Sequence, residues 1–135
     1  MDDEEMLVRT ESLPQAPQQH MKVRVYTPIG SAVVRWHGDP READGWHFIE
    51  WTFDEDIHWG QNTRPVHGAE PELRQEGDRV IMSGRLHLTD GAAYLQMGHW
   101  PVLLDLASPI PSSLDGLWVQ ISAGSENIAL YPYAV

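Results

Sequence analysis

The stretch VIMSGRLHLTDGAAYLQMG, residues 80–98, alternates apolar and polar side chains on both sides of an Asp-Gly pair. That pair suits the two central positions of a type I′ turn, which requires positive φ angles. Folding about the turn places Leu86 opposite Leu95 on an apolar face and His87 opposite Tyr94 on a polar face. Turn chemistry, register and pattern agree, so the stretch predicts a β-hairpin.

Similar short apolar alternations, interrupted by Gly, Pro, Asp and Asn, continue along the chain from residue 21. This sequence pattern is typical of an all-β domain. We expect seven to eight short strands in a small antiparallel β-barrel, OB-like or similar, or in a two-sheet sandwich, because such a sheet must cover one face and protect its edges. The pattern also predicts a hairpin around the loop 38–45 that pairs Trp36 with His47, and a loop over 61–76 with at most one helical turn near Glu70 to Gln75.

The first twenty residues have a different composition, acidic and rich in Pro and Gln with few large apolar groups. Such a segment buries too little to offset the entropy of ordering, so it predicts a flexible, disordered N-terminal arm over 1–20. The remaining 21–135 are long enough for a single domain with its own core. The chain has no cysteine, which suits a reducing cytoplasm. Neither a leader peptide nor a membrane span is indicated by the sequence.

Charge is distributed unevenly within the net charge of −11. Residues 39–78 hold eleven acids and three bases, whereas residues 21–38 hold three bases and no acid. An acidic middle segment repels phosphate backbones and disfavours nucleic acid as a partner. It predicts a basic protein partner, with a purely solubilising role as the alternative. The candidate partner-binding residues are Glu50, Asp54, Glu55 and Asp56.

These acids lie in the stretch GWHFIEWTFDEDIHWG, residues 45–60, where adjacent strand residues point to opposite faces. Ile49, Trp51 and Phe53 then form a core stripe, and Glu50, Asp54 and Asp56 lie on the other, solvated face. Asp54, Asp56 and His58 would share one face, but same-face neighbours lie nearly 7 Å apart along a strand, by the roughly 3.3 Å rise per residue. That spacing is too wide for one ion without a bend, so no metal site is predicted.

The polar face of the hairpin is a second candidate site. Large amphipathic rings beside an arginine are typical of binding hot spots, because they bury much area at little rotamer cost. The candidate ligand-binding residues are Arg85, His87, Tyr94 and Gln96, joined by Trp118 and Tyr131. The sequence contains no nucleophile-elbow motif and no Walker-type or dinucleotide-binding glycine pattern, so no catalytic residue and no cofactor is predicted.

Three hypotheses of function follow. The leading one is a cytoplasmic protein-binding module, of an inhibitor or immunity type, that presents its acidic surface to a basic protein. The alternatives are a small-molecule-binding barrel or enzyme that uses the hairpin face, and a structural subunit that assembles with copies of itself as a homo-oligomer.

Overall fold

The computed structural model describes residues 6–15, 20–68 and 70–133, and this part of the chain is all-β. Its strands are β1 (Met6–Ser12), β2 (Lys22–Thr27), β3 (Gly30–Trp36), β4 (Gly45–Phe53), β5 (Asp56–Ile57), β6 (Thr63–Pro65), β7 (Glu72–Glu76), β8 (Arg79–Thr89), β9 (Ala92–Met97), β10 (Trp100–Leu106), β11 (Trp118–Gly124) and β12 (Ile128–Tyr133). Short 3-10 turns at Pro40–Glu42, Ser112–Leu114 and Ser125–Asn127 interrupt the connections.

Five of these strands close into a barrel in the order β1, β2, β3, β12, β4 and back to β1. The contact that closes it is the parallel pair β3–β12, whereas the other neighbours in the barrel are antiparallel. The sequence left a barrel and a sandwich open, and the barrel is the arrangement found. Its interior is filled by apolar side chains that alternate with outward-facing residues, among them Val8, Val23, Val25, Ala32, Val34, Ile49, Phe53, Ile128 and Leu130.

The other seven strands of the described chain, β5 to β11, lie between β4 and β12 in sequence and form a second layer. The longest of them, β8, pairs with β7, β9 and β11, and β10 joins β9 to the short strand β5. The layer meets the barrel where Gly30 of β3 pairs with Leu73 of β7. A Cβ atom at Gly30 would lie 1.8 Å from the Leu73 carbonyl oxygen, so this junction requires glycine.

The hairpin of residues 80–98 has the predicted register. Leu86 pairs with Leu95 and His87 with Tyr94, and Gly91 in the turn has a φ of 77°. The two leucines are buried. Local turn chemistry and the period-two pattern therefore specified this element correctly.

The predicted N-terminal arm is wrong for residues 6–12, because they form β1, which pairs with both β2 and β4. Val8 and Thr10 are 0% and 1% exposed, and the Thr10 hydroxyl donates to the Ala43 carbonyl across 2.5 Å. Without β1, the strands β2 and β4 would each have an unpaired edge and the barrel would be open. The remainder of the predicted arm includes residues 1–5 and 16–19, which lie outside the described residues.

Two further corrections concern strand pairing. No β3–β4 hairpin forms around 38–45, because β12 lies between these strands; Trp36 and His47 are not paired in register, although their rings lie 4.9 Å apart. The predicted loop over 61–76 contains β6 and β7, which pair with β11 and β8. These additional short strands raise the total in the described chain to twelve, above the predicted seven to eight.

Candidate functional site

The exposed acids of the middle segment lie on the outer side of β4 and just after it. Glu50, Asp54 and Asp56 are exposed, whereas Ile49 and Phe53 are buried, as the alternation predicts. Trp51, the third residue of the predicted core stripe, is only half-buried. Within the part of the chain that the structure describes, none of these three carboxylates forms an ion pair or accepts a hydrogen bond. Their charge is therefore available to a partner.

Glu55, which was also predicted as a partner-binding residue, does not belong to this exposed set, because its side chain is partly buried and held by neighbouring residues. Its carboxylate accepts hydrogen bonds from the Asn127 side chain at 2.8 Å and from the Gly124 backbone N–H at 3.0 Å. Further contacts come from Asn62 at 3.3 Å and Arg79 at 3.5 Å. Burial opposes ionisation of Glu55, but these hydrogen bonds and the Arg79 charge outweigh it, so the pKa of Glu55 lies below its usual value.

An acid that the sequence analysis missed joins the exposed set from β10. Asp105 lies beside Asp56 in the parallel pair β5–β10, and both residues are exposed. Neither carboxylate has an ion-pair partner among the described residues. Two unpaired like charges in adjacent strands destabilise the sheet locally, so this arrangement favours a cationic partner. Only the β5–β10 pairing brings the two residues together, and no local pattern marks Asp105.

A groove of about 470 Å³ lies where the barrel meets β10. The barrel contributes residues of β4 and the last residue of β12, and the second layer contributes the start of β10. The lining residues are Ile49, Glu50, Trp51, Trp100, Pro101, Leu103 and Tyr133. The groove is therefore aromatic and apolar, with Glu50 as the charged residue among those that line it.

The aromatic stripe, a row of large and mainly aromatic side chains, crosses the outer face of the barrel and adjoins this groove. It is exposed except at Phe48, which is half-buried. We define it as Leu7, Trp46, Phe48 and Tyr133. Phe48 lies opposite Leu7 on one side and opposite Tyr133 on the other, with the Phe48 and Tyr133 rings 6.4 Å apart. Trp46 is 66% exposed, and Leu103 at the groove is 70% exposed. So much exposed apolar surface in one region is a common sign of an interaction site.

The hairpin face brings together five of its six predicted residues. Arg85 pairs with Gln96 on one side and with Trp118 on the other, and its guanidinium carbon lies 5.7 Å from the Trp118 ring centre. The rings of His87 and Tyr94 stack with centroids 4.8 Å apart. The residues of the hairpin face are absent from the lining of the groove.

Tyr131, the sixth predicted residue, lies on the barrel instead. Its ring stacks on His37 at 4.5 Å, and the Arg35 guanidinium contacts His37 Nε2 at 2.9 Å. Burial, followed by the charges of Arg35 and His20, lowers the pKa of His37, although Asp54 partly opposes this. The predicted association of Tyr131 with the hairpin face is therefore wrong, because β12 is a barrel strand.

The hairpin face and the groove belong to one continuous surface. In the β9–β10 register Tyr94 lies opposite Leu103 and Gln96 lies opposite Pro101, and both β10 residues line the groove. The two candidate sites predicted from sequence are thus neighbours in space.

No three His, Asp or Glu side chains among the described residues are placed to hold one metal ion. A second groove, of about 630 Å³, lies between the turn of the hairpin and the segment after β10 and includes Asp90, Asp105 and Ile110. No helix in the described chain has the length and apolar character needed to cross a membrane.

Comparison with known proteins assigns no family. No protein-family model matches the chain, and neither the curated proteins nor the solved structures give a significant match.

Proposed function

We propose that this protein is a binding module for a basic protein, and that the groove and its acidic surroundings form the interface. The observation that carries the proposal is the position of unpaired carboxylates beside exposed aromatic and apolar side chains. Glu50 lines the groove with Leu103 and Tyr133, and Asp56 and Asp105 lie beside each other at the far end of β10.

This arrangement has the anatomy of a protein interface. Interfaces have an apolar, aromatic-rich centre and a polar rim, and a few buried aromatic anchors carry most of the binding energy. The aromatic stripe and Leu103 supply the centre, whereas Asp54, Asp56 and Asp105 supply the rim. A basic partner would fit both the apolar centre and the acidic rim, because its lysine and arginine side chains carry a cationic group on an apolar stem.

The net charge of the chain supports a positively charged partner. The net charge of −11 gives the molecule an attractive field for cationic proteins. Rim charges of this kind mainly accelerate association and make it sensitive to salt. The cytoplasm is the expected compartment of this interaction.

We also propose an OB-like assignment for the barrel. The strand order β1, β2, β3, β12, β4 and the parallel β3–β12 contact support it, as does the small size of the barrel. Such an assignment concerns architecture and carries no function by itself.

A small-molecule site on the hairpin face is the second candidate. The contact of Arg85 with Trp118 and the stack of His87 on Tyr94 support it, since together they make a polar aromatic surface. It ranks second because these residues line neither of the two grooves described above.

Photo-crosslinking in the host cell tests the leading proposal. A photoreactive amino acid at Leu103 should capture a basic protein, whereas the same group at Glu42, an exposed residue in the 3-10 turn at the other end of β4, should not. Capture at Leu103 should be lost when Asp56 and Asp105 are both changed to lysine. Equal capture from both positions, capture of a second copy of this chain, or capture that survives charge reversal would contradict the proposal.

A further inference from the structure

We infer that the groove receives one cationic side chain, an arginine or a lysine, from the partner. This inference rests on the proposed function and adds the chemistry of the anchor residue. The groove volume of about 470 Å³ falls within the range typical of small-ligand sites, roughly 300 to 1,000 Å³. The groove therefore has room for a single extended side chain.

The lining determines the charge of the occupant. Glu50 is the charged residue among those that line the groove, and the other lining residues are aromatic or apolar. An apolar side chain inserted here would remove water from the Glu50 carboxylate without replacing its hydrogen bonds, which is costly. An acidic side chain would add repulsion. A cation compensates the carboxylate directly.

The aromatic walls favour the same occupant. Trp51 is half-buried and Tyr133 is exposed, so both present ring surface at the groove. A guanidinium or ammonium group over an indole or phenol face gains cation–π attraction. The alkyl stem of the same side chain packs against apolar walls such as Leu103 and Pro101. Arginine would gain more than lysine, because its planar group also stacks.

Titration with small amides tests this inference without the partner. N-acetyl-arginine amide, N-acetyl-lysine amide and the neutral N-acetyl-norleucine amide are added to the full-length protein, and the indole N–H signals of Trp51 and Trp100 are followed by NMR. The cationic amides should shift both signals in a saturable way, with arginine the tighter ligand, and norleucine amide should bind at least about fivefold more weakly.

Variants locate the binding. Glu50→Gln should lower the affinity for the arginine amide by about five- to tenfold, because it removes the carboxylate and keeps the side-chain volume. Glu42→Gln removes an equal charge from an exposed residue in the 3-10 turn at the other end of β4, and should leave the affinity within about twofold. Equal binding of the norleucine amide, or equal losses in the two variants, would overturn the inference.

The two proposals fail in different ways. If no amide shifts either indole signal while Leu103 still crosslinks to a basic protein, the groove assignment is wrong and the binding function stands. If the cationic amides bind at Glu50 while no protein crosslinks at Leu103, the groove selects cations and the partner is not a protein.

Discussion

Leu103 lies directly opposite Tyr94 in the antiparallel pair β9–β10, and Leu103 also lines the groove beside Glu50. One surface therefore runs from the hairpin face across β10 to the barrel. A partner could centre on either end of this surface, and the two candidate functions differ in which end they use. Matched substitutions at the two ends can separate them.

Tyr133 and Tyr94 provide such a pair. Tyr133→Ala should weaken binding of the crosslinked partner by more than about tenfold, because the ring belongs to the aromatic centre of the proposed interface. Tyr94→Ala should weaken it by less than about threefold, since rim truncations are usually minor. Isothermal titration calorimetry measures both effects. The opposite ranking would favour a site on the hairpin face.

Glu55 should contribute to stability and not to binding. Glu55→Ala should lower the free energy of unfolding by about 2 to 3 kcal/mol, because it leaves the Asn127 and Gly124 donors without their charged acceptor. Asp54→Ala removes a neighbouring exposed acid and should change the free energy by less than about 0.5 kcal/mol. Urea unfolding at neutral pH measures both values. Equal effects would show that Glu55 is an ordinary surface acid.

The Glu55 contribution should also depend on pH. Because the pKa of Glu55 is lowered in the folded state, its stabilisation is fully present above the unfolded value of about 4.3 and is lost as the pH falls through the folded pKa. The difference in unfolding free energy between the wild type and Glu55→Gln should therefore shrink on acidification below about pH 4. Unfolding curves at a series of pH values measure it. A difference that grows on acidification would mean that the pKa is raised.

The N-terminal strand should be part of the folded core. Val8→Ala should destabilise the protein by about 2 kcal/mol, because it removes two methyl groups from a fully buried side chain. Leu7→Ala, on the outer face of the same strand, should cost less than about 0.5 kcal/mol. Thermal unfolding distinguishes the two variants. Similar small effects at both positions would restore the flexible arm predicted from composition.

Local signals predicted the hairpin well and the barrel closure poorly. The register of Leu86 with Leu95 follows from a turn and an alternation that lie within one short segment. The barrel depends on β12 pairing with β3, so Ala129 lies beside Arg35, far away in the sequence. A period-two pattern predicts which face of a strand is buried, but it does not predict which strand lies next to it.

The candidate site was predictable to a similar degree. The alternation along β4 correctly placed Glu50 and Asp54 in solvent. It could not identify the hydrogen bonds of Glu55, because the donors that hold this carboxylate come from Gly124 and Asn127. The groove was missed for the same reason, since Trp100 and Leu103 reach Glu50 only through the packing of β10 on the barrel.

The central claim, recognition of a basic protein by the acidic surface, is tested most directly by association kinetics with the crosslinked partner. Stopped-flow rates are measured at low and high salt for the wild type, for Asp56→Lys with Asp105→Lys, and for the control Glu42→Lys. The wild type and the control should associate rapidly at low salt and slow steeply as salt rises. The double variant should associate slowly with a weak salt dependence, while dissociation stays nearly unchanged. Association rates that are the same for the double variant and the control would contradict the claim, and the acidic surface would then serve only solubility.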